Sequence, residues 1–173
     1  MINIITTGGQ YMKDMDLTFL DSNNMLNIRV AGIIIKDNKV LMVKNLRSDY
    51  IYSLGGRLKF GENSRDAVVR EVWEETGVLM EVDRLGFVYE NFFTGHTPSK
   101  MDKTVYEITF FYYMKVPENF QIKKDIPTTE ENPETLVWLD WHSDEEYYPL
   151  FYRTELDNPS QDVKHIIIDE RLF

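Results

Sequence analysis

Two rhythms of apolar and polar positions run along the chain, one of period two and one near 3.6. Residues 27–35, NIRVAGIII, are β-branched and apolar and predict a buried strand. Asp37-Asn38 reads as a tight turn, after which residues 39–44 pair back as a hairpin. Residues 50–54 predict a short strand ending at Gly55-Gly56, and residues 57–63 a loop. Ala67, Val68, Val69 and Val72 then form an apolar stripe at helical spacing. Asn63 or Ser64 can cap that helix, Asp66 sits in its first turn, and Gly77 ends it. Two long strands are expected at 80–93 and 103–116. Residues 117–134 are polar, carry three prolines and read as a surface excursion. A strand follows at 135–139. Ser143-Asp144-Glu145-Glu146 resembles a capping box and predicts a helix that Pro149 interrupts. A last strand is expected at 163–168. Residues 1–26 show no clear period and read as an N-terminal extension or irregular segment. Residues 27–173 read as one domain, α/β in class, with a mixed sheet and helices on both faces.

Composition narrows the class. At 173 residues, 43% hydrophobic and 13% aromatic, the chain suits one core and is not compositionally disordered. No apolar run approaches the roughly 20 residues of a membrane helix, so no membrane partner is expected. The chain has no cysteine, which excludes disulfides and thiolate metal sites and is compatible with a reducing cytoplasm. Nineteen basic against 29 acidic residues leave a net charge of −10. Such a balance argues against nucleic acid as a partner. It also means that an anionic substrate would need positive charge supplied locally, which a bound divalent cation can do.

The stretch 56–78, GRLKFGENSRDAVVREVWEETGV, carries the chemistry. Glu71, Glu74 and Glu75 stand at i, i+3 and i+4, on one side of a helix. Brought to about 4 Å, two such charges repel by roughly 4 kcal/mol at an effective dielectric near 20. Arg70 offsets part of that. A hard cation such as Mg2+ or Mn2+ makes the cluster favourable, because carboxylate oxygens are its preferred ligands. An isolated EVWEE string is more commonly a solvated acidic face. Here Gly56, Glu62, Arg70, Glu71, Val72, Glu74, Glu75, Gly77 and Val78 together match G-x5-E-x7-R-E-U-x-E-E-x-G-U, with U a bulky aliphatic residue. Seven fixed identities arise by chance on the order of once in 10⁸ placements, which sets the solvated-face reading aside.

This pattern resembles the box of the Nudix hydrolase family. The resemblance implies an α/β/α sandwich and metal-dependent cleavage of a phosphoanhydride in a nucleoside diphosphate derivative or triphosphate. It implies Glu71, Glu74 and Glu75 as metal ligands, with Gly55 offering a carbonyl. Glu71 is the first choice of general base, with Arg70 orienting it and Glu75 as a further catalytic carboxylate. Glu62 and Gly56 would support them from behind. Relatives often carry Leu-Pro-Gly-Gly before the box, whereas this chain has Ser53-Leu54-Gly55-Gly56, which removes a fixed φ. A non-catalytic nucleotide- or sugar-nucleotide-sensing domain is the alternative. An isoprenoid diphosphate isomerase, which shares the fold, needs a cysteine this chain lacks. Homodimers are common in that family, and no feature of this sequence bears on them.

Outside the box, Glu107 sits where relatives often place an acidic metal ligand. Arg29, Arg47 and Arg57 flank the expected cleft and are candidates to hold phosphates of a small-molecule nucleotide substrate. Tyr52, Phe92, Phe93 and Tyr106 are candidates to stack on a base, against the alternative of core packing. His96, His142 and His165 form no metal-ligand pattern. The downstream signatures of specific Nudix substrates are absent.

Overall fold

A computed structural model describes residues 15–45, 51–95, 100, 102–122 and 134–172. Strands β1 (Thr18–Leu20), β2 (Asn24–Ile33), β3 (Ile35–Lys36), β4 (Lys39–Asn45), β5 (Ile51–Ser53) and β6 (Gly55–Arg57) precede helix α1 (Ser64–Thr76). Then come β7 (Glu81–Thr94), β8 (Thr104–Lys115), β9 (Glu134–Leu139), β10 (Tyr147–Tyr148), the single turn α2 (Tyr152–Glu155) and β11 (Lys164–Asp169). One sheet has the order β1-β2-β8-β7-β11, with β6 also on β2. The other has β10-β5-β4-β3, with β9 also on β4. Both are mixed: β2 runs parallel to β8 and β11 to β7 in the first, and β10 to β5 in the second. The fold is thus α/β with mixed sheets and few helices.

Local sequence explains most of these elements. Asp37 and Asn38 both take positive φ, 52° and 55°, between β3 and β4, as a two-residue hairpin turn requires. Asn63 caps α1 by accepting the Asp66 N–H at 2.9 Å, and Asp66 lies where the helix dipole favours an acid. Gly77 is left-handed at φ 66°, and its N–H returns to the Trp73 carbonyl. Ala67, Val68 and Val72 are fully buried and pack with Val30, Leu54 and Tyr112 in one core. A second core lies between the sheets, away from α1, around Ala31, Ile33, Met42, Phe87, Phe111 and Tyr147. Val72→Ala removes two methylene equivalents from the first core and should cost about 2 kcal/mol in urea unfolding.

Four expectations need revision. The helix expected from Ser143 is absent; turns lead instead into β10. The Glu146 carbonyl accepts the Ile51 N–H at 2.9 Å, and Tyr147 is completely buried, donating to the Trp141 carbonyl. Burial of that ring and pairing with β5 outweigh a local capping preference. Helices on both faces reduce to α1 on one face and the turn α2 on the other, where Phe151 and Tyr152 fill the space with Phe87 and Phe111. The glycine pair ends no strand: Gly55 and Gly56 belong to β6, which crosses from the second sheet to pair with β2. Part of the N-terminal stretch is also in the sheet. Thr18 to Leu20 pairs with Asn27 to Met25, and Leu17 packs on the first core.

Candidate active site

Strand β6 is the floor against which α1 lays its carboxylates. Gly55 takes φ 143°, and a Cβ there would stand 2.2 Å from the Val30 carbonyl oxygen. Its free N–H donates to Glu75 Oε2 at 3.0 Å. Gly56 has no room for a side chain, because a Cβ would lie 2.4 Å from the carboxylate of Glu71. Only glycine lets Glu71 approach the strand so closely. Glu71 and Glu75 therefore turn inward and are half-buried, whereas Glu74 is exposed.

Burial sets the electrostatics. It pushes the Glu75 carboxyl up to about 8, helped by the charges of Glu71 and Glu134 and opposed by the Gly55 N–H and Arg29. Burial also raises Glu71, against the hydrogen bond and charge of Arg70. Arg70 knits the group together. Its guanidinium donates twice to Glu62, at 3.1 and 2.6 Å, to Glu71 at 2.7 Å, to Glu74 at 3.3 Å and to the Arg57 carbonyl at 3.2 Å. These carboxylates raise the Arg70 pKa still further. Burial works against ionised Glu62, yet Arg70 and the Lys59 N–H outweigh it and hold that carboxyl below its ordinary value. Glu62→Gln exchanges an acceptor for a donor facing Arg70 and should lower activity about 10- to 100-fold through misorientation of Glu71, read as kcat.

Glu71, Glu74, Glu75, Arg70, Glu62, Gly55 and Gly56 are thus brought together. Arg29 joins them, its charge acting on both Glu71 and Glu75. Arg57 pairs across β2 with Arg29, but its guanidinium lies 3.1 Å from Asp16. Glu107 is engaged by Arg29 at 3.9 Å, Lys100 at 3.7 Å and Asn27 at 3.3 Å. Arg47 and His96 lie outside the described residues. Phe92 and Tyr106 stack on each other at 4.3 Å, Lys100 sits over Phe93, and Tyr52 donates to Glu134. His142 pairs with Asp157 and His165 with Glu90. Sequence reading missed Lys100, Asn27 and Glu134. Asn27 alone had a signal, as an amide in a mostly apolar strand.

Among the described residues, no three carboxylates or imidazoles converge closely enough to hold a cation as they stand. Arg70 occupies oxygens of Glu71 and Glu74, and the Gly55 N–H one of Glu75. The donor set nevertheless fits a hard cation: two inward carboxylates disfavoured by burial, a third exposed beside them, and the strand backbone alongside. Two open concavities of about 530 and 580 Å³ lie by Trp138 and by Trp141, and neither is lined by these glutamates.

The fold and this cluster define a mixed-sheet protein whose acidic helix is laid against a glycine strand. The model of the NUDIX domain matches residues 25–162, and the chain belongs to that family. It is 38% identical over 66 residues to a MutT-like protein of Streptomyces ambofaciens, covering 38% of this chain and 43% of that one. It is 42% identical over 67 residues to an ADP-ribose pyrophosphatase of Methanocaldococcus jannaschii, covering 37% and 40%. These matches span about two fifths of the relatives' length. In fold, the chain resembles an ADP-ribose pyrophosphatase from Streptococcus suis, with TM-score 0.52 and 15% identity over 82% of this chain and 98% of that one. It also resembles a MutT protein from Bacillus halodurans, with TM-score 0.56 and 17% identity over 85% and 93%. No helix among the described residues is long and apolar enough to cross a membrane.

Proposed function

We propose that the chain is a divalent-cation-dependent pyrophosphohydrolase that cleaves the phosphoanhydride of a nucleoside diphosphate derivative or nucleoside triphosphate. The carrying observation is the inward pair Glu71 and Glu75, whose ionisation burial opposes. Such groups are poised for a cation rather than for solvent. Members of the family generally depend on a divalent metal, and Mg2+ or Mn2+ suits these ligands. Glu71, Glu74, Glu75 and the Gly55 carbonyl would hold it. When bound, the ion supplies charge neutralisation for the diphosphate and acidifies the attacking water. Glu71 accepts the proton of that water as its oxygen attacks phosphorus, and the bridging anhydride oxygen departs with its electron pair on the leaving phosphate. Arg70 orients Glu71, and Glu62 fixes Arg70.

A second reading is a nucleotide-sensing domain without turnover. It is favoured by one observation: Arg70 already occupies oxygens of Glu71 and Glu74. A panel of ADP-ribose, nucleotide sugars, triphosphates and dinucleotides, incubated with the protein and Mg2+ or Mn2+, separates the two. Release of phosphate, pyrophosphate or nucleoside monophosphate from any member is the expected result. Tight binding without product favours the sensor.

A further inference from the structure

The inner face of the first sheet carries polar side chains where alternation elsewhere places apolar ones. Asn27, Glu107 and Asn91 stand in register across β2, β8 and β7, and the next row is Arg29, Thr109 and the aromatic Tyr89. Further along the same face lie Ala31, Phe111 and Phe87 of the buried core. Packing alone does not explain the change. Among the described residues, Asn91 Oδ1 is buried without a hydrogen-bond partner, an uncommon condition for a polar atom in a packed interior.

Cations gather on this floor. Burial holds the Lys100 amine below its ordinary value, and the charges of Arg29 and Arg57 push it the same way, while Glu107 opposes them. Arg57 has its own counter-ion in Asp16. Arg29 and Lys100 share one carboxylate, that of Glu107. Among the described residues, those two cations meet on the one carboxylate of Glu107, on a partly desolvated surface within a chain of net charge −10. Both Glu107 oxygens are engaged: Oε1 faces Arg29, and Oε2 faces Lys100 and accepts from Asn27. Arg29 acts on Glu71 and Glu75 as well, so it links the cation floor to the box glutamates.

We propose that Glu107 is a positioning residue rather than a cation ligand, and that it holds Arg29 and Lys100 together as a receptor for the diphosphate of the substrate. The identity of the anion rests on the hydrolase reading. Removing the Glu107 charge frees two mutually repelling cations to separate, so anion binding weakens although net positive charge rises. A ligand role predicts the opposite, with cation affinity falling and anion binding rising.

Two measurements test this. Mn2+ binding followed by electron paramagnetic resonance should be within about twofold of wild type in Glu107→Gln and in Lys100→Met, and clearly weaker in Glu71→Gln. Inorganic pyrophosphate binding to the metal-free protein, followed by calorimetry in EDTA, should weaken about tenfold in both Glu107→Gln and Lys100→Met. Thermal melts identify any variant that fails to fold, and Glu107→Asp, which keeps the charge, should retain most of the affinity. A tenfold loss of Mn2+ affinity in folded Glu107→Gln overturns the proposal. So does pyrophosphate affinity unchanged by Lys100→Met, or absent in wild type. If the anion results hold while no nucleotide is turned over, the hydrolase reading fails and the receptor stands.

Discussion

Glu75→Gln is expected to abolish turnover and to make the metal-free protein more stable at the same time. The activity loss should be about 10³-fold or more, because a buried ligand and its charge are removed from the reacting diphosphate. The stability gain follows from linkage. The Glu75 carboxyl is pushed up to about 8 in the folded protein, against an ordinary value of 4.5. Between those values the folded state holds a proton that the unfolded state has released, so stability falls as pH rises through the window. Below about pH 4.5 the carboxyl is protonated in both states and costs nothing; above about pH 8 the full penalty is present. The amide of Gln keeps an acceptor for the Gly55 N–H and carries no charge. Thermal melts in EDTA should therefore coincide for wild type and variant near pH 4 and separate progressively up to pH 8, by on the order of 4 kcal/mol. Added Mg2+ should raise the wild-type melting temperature and leave that of the variant almost unchanged. Melts that coincide at every pH would remove the burial argument for this carboxylate.

Gly56→Ala is expected to separate catalysis from folding. The added Cβ would lie 2.4 Å from the Glu71 carboxylate, the far end of a flexible side chain that can swing aside. In moving, Glu71 loses its 2.7 Å contact with Arg70 and its place beside Glu75. A displacement of about 1 Å in a group that handles the attacking water can cost about 10²-fold in kcat. Stability should change by less than about 1 kcal/mol, since a charge leaves a half-buried position as the methyl enters. Gly55→Ala is the contrast. Its Cβ would meet the Val30 backbone at 2.2 Å, at a φ of 143° that L residues rarely adopt. Neither the backbone nor φ can adjust locally, so that variant should lose several kcal/mol and much of its folded population. Wild-type kcat in a folded Gly56→Ala variant would show that Glu71 does not need its seat on the strand.

Helix α1 was legible from its own residues. Cap, stripe and terminating glycine are local signals, and each sits where its hydrogen bond requires it. The long strands β7 and β8 were equally readable because β-branched and aromatic residues recur along each of them. The region from Ser143 was not, because what decides it is the burial of Tyr147 against β5, nearly a hundred residues earlier in the chain. The acidic box was visible as spacing on a helix. Lys100 left no comparable mark, since a lone lysine in a loop acquires meaning only when the fold sets it against Glu107.

The chain's order of residues by itself determined α1, the hairpin turn at Asp37-Asn38 and the gathering of Glu71, Glu74 and Glu75 on one helical turn, since all three depend on contacts a few positions apart. Tertiary structure alone decided that β6 would lie beneath that helix, that Glu71 and Glu75 would be driven inward while Glu74 stays in solvent, and that Lys100 from a loop would meet Arg29 and Glu107 of the first sheet. The physical reason is desolvation: the same carboxylate is ordinary in water and poised for a cation when a glycine strand strips its hydration, and no local pattern records which strand will do so.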